Sequence, residues 1–118
     1  IVHWPVQTNV HVNGILATTE VASSSDAQSS EQKAQQTALV LAAKRIATDL
    51  NYIGVLCIEF FILEDGSWVV NEMAPRPHNS GHVTMDASSM SQFDAQVRVA
   101  AGLPLVQPRQ HSRRNMLV

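Results

Sequence analysis

The amino-acid sequence predicts an α+β fold in which an antiparallel sheet made of β-hairpins packs against two helices. Two kinds of pattern predict it. The dipeptides Asn13-Gly14 and Asp65-Gly66 each separate two runs rich in β-branched and aromatic residues, and both dipeptides favour two-residue hairpin turns. Two other segments carry apolar residues at helical spacing, and each begins with the pattern of a capping box.

The first half of the chain predicts one hairpin followed by one helix. Strands are expected over 6–12 and 15–19, on either side of Asn13-Gly14. The polar residues 23–30 predict a loop. Ser29 is followed three places later by Gln32, which is a capping box, so we expect a helix over about 31–50 that ends at a left-handed Asn51.

The second half predicts a second hairpin, a loop and a second helix. The runs 54–63 and 67–73 are expected to be strands joined by a two-residue turn at Asp65-Gly66. Residues 74–86 are dense in polar residues, Pro and Gly and predict a loop. Ser91 and Asp94 open a helix that Gly102 and Pro104 close.

Glu59 and Glu72 lie at equal distances from the centre of the Asp65-Gly66 turn, so a two-residue turn places them directly opposite each other. Each is isolated among apolar neighbours, and like charges in this position destabilise a sheet unless a cation lies between them or one carboxyl is protonated. Carboxylates completed by substrate phosphates suit Mg²⁺. The alternative is a solvated sheet face whose two acids point to water, although the flanking apolar residues favour coverage.

Composition excludes several classes of function. Eight Lys and Arg against ten Asp and Glu give a net charge of −2, which disfavours binding to nucleic acid. No apolar run approaches the ~20 residues that a membrane span requires. One cysteine, Cys57, fits a reducing compartment, so we expect a cytoplasmic protein and a packing role for this thiol.

A family resemblance rests on two motifs. Glu59-Phe60-Phe61, and the run from Asn71 to His82 that reads NEMAPRPHNSGH, resemble the 5-(carboxyamino)imidazole ribonucleotide synthetases, which are ATP-grasp enzymes of purine biosynthesis. The segments 5–16, 91–93 and 102–105 are similar to the same family. The resemblance implies that 1–105 is the second half of an ATP-grasp core, and that 106–118 is a linker and the first strand of a further C-terminal domain.

The chemistry that the resemblance implies is ATP-dependent carboxylation: bicarbonate attacks the γ-phosphate to give carboxyphosphate, and 5-aminoimidazole ribonucleotide captures the carboxyl group. Glu59 and Glu72 match the magnesium ligands of the family. His11, Asn71 and Glu72 match residues that contact ATP.

The loop after Glu72 matches the part of the family that holds the carboxylation substrates. Arg76, His78 and Asn79 match residues of the bicarbonate and acceptor pocket, and we expect their side chains to converge beside the two glutamates. The backbone N–H groups of Ser80 and Gly81 are expected to face an anion.

Three alternatives remain open from the sequence. The chain also resembles the formate-dependent glycinamide ribonucleotide transformylases, although its Asn79-Ser80-Gly81-His82 continuation favours the carboxylating family. A non-catalytic module that binds nucleotide or metal, and a structural domain with solvated acids, are the others. The expected partners are the substrates, the remaining domains of the same enzyme and, for the full-length enzyme, a second copy in a homodimer.

Overall fold

The computed structural model describes residues 1–21 and 27–111, together with the backbone of 114–117. Within these residues the chain forms an α+β structure, which confirms the predicted class. Its elements are β1 (Thr8–Val12), β2 (Ile15–Val21), α1 (Ser30–Asp49), β3 (Cys57–Ile62), β4 (Trp68–Ala74), a 3₁₀ turn (Asn79–Gly81), α2 (Thr84–Ala87), α3 (Gln92–Ala100) and β5 (Arg114–Leu117).

The two hairpins belong to two separate antiparallel ladders. One has the strand order β1-β2-β5, and the other contains β3 and β4. At the C-terminal end of the chain, β5 pairs with β2. That residues 106–118 are a linker and the first strand of a further domain stays a prediction. A division of the chain at residue 105 stays a prediction.

The first hairpin forms as its turn dipeptide predicts. Asn13 and Gly14 both have positive φ, 52° and 76°, which is the type I′ geometry whose twist matches that of the flanking strands. Val12 consequently faces Ile15 across the turn. Of the predicted loop 23–30, only residues 27–30 lie within the described part of the chain, and Ser30 there already belongs to α1.

Helix α1 begins and ends at the predicted signals. The Ser29 side chain accepts a hydrogen bond from the Gln32 N–H, and the Gln32 side chain accepts one from the Ser29 N–H, so both donors of the capping box are satisfied. Asn51 has a φ of 50° just beyond the helix, as a left-handed stop should. Leu39 is the residue of α1 that the structure buries.

The turn of the second hairpin differs from the prediction. Leu63 and Ser67 are joined by a backbone hydrogen bond, and the Gly66 N–H donates to the Leu63 carbonyl, so the loop has three residues rather than two. Gly66 has a φ of 84° and no non-glycine residue of this turn has a positive φ, which is a type I turn followed by a left-handed glycine. The assumption of a type I′ turn at Asp65-Gly66 was wrong.

A β-bulge compensates for the longer loop. From the turn to Phe60, the register pairs Phe60 with Val70, but beyond a shift at this point Glu59 pairs with Glu72. Asn71 is the additional residue of β4. The loop displaces the register by one residue and the bulge restores it, so the predicted opposition of the two glutamates is confirmed although the turn is not.

The predicted loop 74–86 contains helical turns. The 3₁₀ turn and the start of α2 lie within it, since small residues and local hydrogen bonds such as that from the Ala87 N–H to the Val83 carbonyl allow tight turns there. Val83 and Ala87 pack on Val21 of β2 in one buried cluster. Thus the segment between the two glutamate strands and α3 is anchored to the first sheet.

A second buried cluster holds α3 in place. Val55, Met90 and Ala95 form it, Val2 and Trp4 pack against it, and the Trp4 indole N–H donates to the Met90 carbonyl at 2.8 Å.

Among the described helices, none is both long enough and apolar enough to cross a bilayer.

Helix α3 offers a pH-dependent test of its predicted capping box. The Ser91 N–H and hydroxyl donate to the Asp94 carboxylate, and they hold the pKa of Asp94 below its ordinary value. A carboxyl whose pKa is lower in the folded state stabilises the protein above its unfolded pKa of about 3.9 and loses that contribution as the pH falls further. Asp94→Asn should therefore lower the melting temperature at neutral pH, by a margin that shrinks below about pH 4.

Thermal unfolding followed by circular dichroism measures this margin. The control is the double variant Ser91→Ala, Asp94→Asn, compared with Ser91→Ala alone. Without the Ser91 hydroxyl, the Asp94→Asn substitution should lower the melting temperature by less. A margin that stays constant from neutral pH to about pH 3 would contradict the capping role of the carboxylate.

Candidate active site

The site is centred on two carboxylates at the bulge between β3 and β4. Glu59 and Glu72 are directly opposed in the register. They differ in exposure: the Glu59 side chain is 10% exposed and that of Glu72 is 54% exposed. The inner carboxylate is thus enclosed by the protein, whereas the outer one faces solvent.

The bulge brings Asn71 to the same carboxylates. In a regular strand, Asn71 and Glu72 would point to opposite faces, because consecutive side chains alternate. Here the additional residue interrupts the alternation, and Asn71 Nδ2 donates to Glu59 Oε2 at 3.4 Å. One irregularity of β4 therefore places three polar side chains on one face.

Asn9 of β1 is a site residue that the sequence analysis did not select. Its Nδ2 donates to Glu59 Oε1 at 3.3 Å, and its own Oδ1 accepts from the buried Thr19 hydroxyl at 3.0 Å. Asn9 lies two residues before His11 and so on the same face of β1, which was the available signal. Its bond to Glu59 connects the two ladders.

His78 lies between the two glutamates. Its Nε2 is 3.1 Å from Glu72 Oε1, and its Nδ1 is 3.9 Å from Glu59 Oε1. The side chain is only 12% exposed. The Ser80 N–H donates to Nδ1 at 3.4 Å, so Nδ1 acts as an acceptor and we assign the bond between Nε2 and Glu72 to a donated N–H.

Behind His78, a chain of hydrogen bonds runs into the interior. The Ser80 hydroxyl is 3.0 Å from His78 Nδ1 and 3.5 Å from Cys57 Sγ. Burial raises the pKa of the Cys57 thiol, with smaller contributions from the negative charges of Glu59 and Glu72. A protonated thiol can donate to Ser80, whose hydroxyl then donates to Nδ1, and this order agrees with the tautomer assigned above.

The donor set fits a divalent cation. Glu59, Glu72 and His78 each offer one ligand atom, and these atoms lie within 4.8 Å of one another. Two opposed carboxylates satisfy the preference of Mg²⁺ for oxygen, with further positions left for water or phosphate. His78 Nε2 lies 3.1 Å from Glu72 Oε1, so the imidazole can also hold this carboxylate in place.

The remaining predicted site residues have fewer contacts. Arg76 is exposed, and its Nη1 donates to the adjacent Pro77 carbonyl at 2.9 Å. Asn79 is exposed at the start of the 3₁₀ turn. Of the three loop residues predicted to converge, the structure brings His78 to the glutamates, and convergence of the other two stays a prediction.

His11 is exposed on β1 and lines a cavity of about 760 Å³ between the N-terminal segment, α1 and β3. Asn9 and Glu59 line the same cavity. His11 and the inner carboxylate therefore face a common space, whose volume is in the range of small-molecule sites.

The amides expected to face an anion are already engaged. The Ser80 N–H donates to His78 Nδ1, and the Gly81 N–H donates to the His78 carbonyl at 2.9 Å. They stabilise the loop around His78, because the Ser80 bond caps the 3₁₀ turn and the Gly81 bond belongs to the turn itself. The expectation of an anion site at these two amides was wrong for this structure.

Comparison with known proteins identifies the family. A family model described as the ATP-grasp domain matches residues 1–93, more than three quarters of the chain. The chain belongs to the ATP-grasp family. It is also 46% identical, over 104 residues, to the N5-carboxyaminoimidazole ribonucleotide synthase of Brucella melitensis, a match that covers 88% of this chain and 27% of that protein.

Solved structures of N5-carboxyaminoimidazole ribonucleotide synthetases resemble the fold of this chain. An ADP complex of N5-carboxyaminoimidazole ribonucleotide synthetase matches 97% of this chain and 29% of its own, with a TM-score of 0.84 and 37% identity. The Aspergillus clavatus enzyme in complex with ADP and 5-aminoimidazole ribonucleotide matches 89% of this chain and 27% of its own, with a TM-score of 0.71 and 32% identity. The chain thus spans about a quarter of the curated relatives that it matches.

The raised pKa of Cys57 can be tested by alkylation. Because only the thiolate reacts, iodoacetamide at about pH 7.5 should modify Cys57 at least ~10 times more slowly in the folded protein than in denaturant. Mass spectrometry of the peptide that contains Cys57 gives both rates. Equal rates would show that the thiol is neither buried nor held protonated.

Proposed function

We propose that the chain is part of an ATP-dependent carbon–nitrogen ligase that carboxylates 5-aminoimidazole ribonucleotide with bicarbonate, through carboxyphosphate. The observation that carries the proposal is the arrangement of Glu59, Glu72 and His78 at the β3–β4 bulge, in a chain 46% identical to an N5-carboxyaminoimidazole ribonucleotide synthase. The enzyme works in the cytoplasm, together with the further domains of the polypeptide.

Glu59 and Glu72 are proposed to hold Mg²⁺ against the triphosphate of ATP. A bound cation would supply positive charge that stabilises the transfer of the phosphoryl group. Glu59 suits the inner position, because Asn9 and Asn71 donate to its two oxygens and fix the carboxylate. In this proposal the nucleotide is contacted by Asn71, which is next to Glu72, and by His11, which lines the cavity.

The loop of Arg76, His78 and Asn79 is proposed to receive bicarbonate and the acceptor. Bicarbonate must lie next to the γ-phosphate for its oxygen to attack phosphorus, so its pocket has to border the metal site. His78 meets that requirement, since it contacts Glu72 directly. The guanidinium of Arg76 is exposed and can form a bidentate pair with a carbonate or carboxyphosphate anion.

Charge at position 72 provides the first test. In the full-length enzyme, Glu72→Gln should lower kcat by about 100-fold or more, because it removes one metal charge while an amide oxygen still accepts from His78. The measurement is bicarbonate-dependent ADP formation as a function of Mg²⁺ concentration. Glu64→Gln, an exposed carboxyl in the turn of the same hairpin, is the matched control and should act like the wild type.

The metal role proposed for Glu72 would be contradicted if the Glu72→Gln enzyme kept the wild-type kcat, Mg²⁺ dependence and melting temperature.

Arg76 provides a separate test of the substrate loop. Arg76→Ala should lower kcat/KM for bicarbonate or for the acceptor by roughly 10- to 100-fold, the loss expected for a charge-assisted hydrogen bond, and leave KM for ATP nearly unchanged. Steady-state kinetics with each substrate varied in turn separates these effects. Arg45→Ala on α1 is the control, since Arg45 makes only an exposed ion pair with Asp49 among its described contacts.

If Arg76→Ala weakened ATP binding and left the kinetics with bicarbonate and the acceptor unchanged, the assignment of this loop to the carboxylation substrates would be wrong.

A further inference from the structure

Gln92, the first residue of α3, holds the backbone of His78 at both of its polar groups. Its Oε1 accepts from the His78 N–H at 2.8 Å, and its Nε2 donates to the His78 carbonyl at 2.8 Å. The residue is 3% exposed, so the two bonds are shielded from water. A side-chain amide thus replaces the neighbouring strand that an extended residue such as His78 would otherwise pair with.

The backbone of Gln92 is itself fixed. Its N–H donates to the Thr84 hydroxyl at 2.9 Å, and that hydroxyl donates to the Gly81 carbonyl at 2.6 Å. The Ser91 capping box fixes the start of the helix immediately before it. The amide that bonds to His78 therefore projects from a capped helix end whose backbone is hydrogen-bonded.

Gly81 supplies an independent indication that the space around this amide is fully used. A Cβ atom at Gly81 would collide with Gln92 Oε1. The φ of Gly81 is not in the left-handed region, so the conformation alone does not require glycine. What requires it is the close approach of the Gln92 amide to the loop.

We propose that Gln92 is a positioning residue, which fixes the backbone of His78 so that the imidazole lies between Glu59 and Glu72. This inference rests on the proposed function, since it gives His78 a part in bicarbonate binding. Glu72 moves with His78, because Nε2 donates to it. Loss of the two hydrogen bonds between Gln92 and His78, which we call the clamp, therefore loosens the proposed bicarbonate pocket. The Glu59 end of the proposed metal site stays in place, because Asn9 and Asn71 hold it.

The test uses Gln92→Met in the full-length enzyme, because methionine keeps the volume and loses both hydrogen bonds. KM for bicarbonate should rise about tenfold, with KM for ATP within about twofold of the wild type. Exchange of the His78 amide hydrogen with solvent should accelerate about tenfold. Gly81→Ala, which displaces the Gln92 amide, should show the same two changes.

Gln96→Met is the matched control. Gln96 lies one helical turn further along α3, and its Oε1 accepts from the Val55 N–H at 3.1 Å, so it also holds a backbone amide. This variant should accelerate exchange at Val55, leave exchange at His78 unchanged, and leave KM for bicarbonate at the wild-type value.

Two outcomes would overturn the proposal. One is a folded Gln92→Met enzyme with the wild-type KM for bicarbonate. The other is a rise of this KM in Gln96→Met as large as in Gln92→Met, which would indicate a general loss of stability. If the wild-type enzyme itself showed no bicarbonate-dependent cleavage of ATP, the proposed function would fail instead. Exchange at His78 would then decide alone: a tenfold acceleration in Gln92→Met supports the clamp, and unchanged exchange overturns it.

Discussion

Two carboxylates face each other across one hairpin, and much of the surrounding structure acts to keep them there. Like charges directly opposite each other weaken a sheet. Here N–H donors offset the repulsion: Asn9 and Asn71 donate to Glu59, and His78 donates to Glu72, which is otherwise open to solvent. These donors come from β1, β4 and the following loop, so the position of the glutamates depends on the assembly of both ladders.

Local turn chemistry explains why part of this arrangement follows from the sequence. Asn13 and Gly14 tolerate positive φ, and they form the expected type I′ turn. At Asp65-Gly66 the same reasoning gave the wrong loop length, yet Glu59 still faces Glu72 because a bulge at Asn71 offsets the extra residue. The dipeptide alone did not distinguish a two-residue loop from a three-residue loop, since glycine at a left-handed position suits both.

The contacts that complete the site could not be predicted in this way. Asn9 and Glu59 are 50 residues apart in the sequence, and His78 and Gln92 are 14 apart. In neither pair do the two residues share a helix or strand, so hydrophobic periodicity could not predict the contact. Each contact forms only when the sheets and α3 pack together. The family motif selected His78, but it gave no reason for a glutamine at the start of a helix to hold it.

The unequal burial of the two glutamates explains how the halves of the site are coupled. Glu59 is enclosed and fixed by two amides, so its position is set before any ligand binds. Glu72 is 54% exposed, and among the described side chains His78 is its hydrogen-bond partner. His78 in turn belongs to the loop that Gln92 ties to α3. Any displacement of that loop therefore moves the outer carboxylate while the inner one stays. A single imidazole thus links the proposed bicarbonate pocket to the geometry of the proposed metal site.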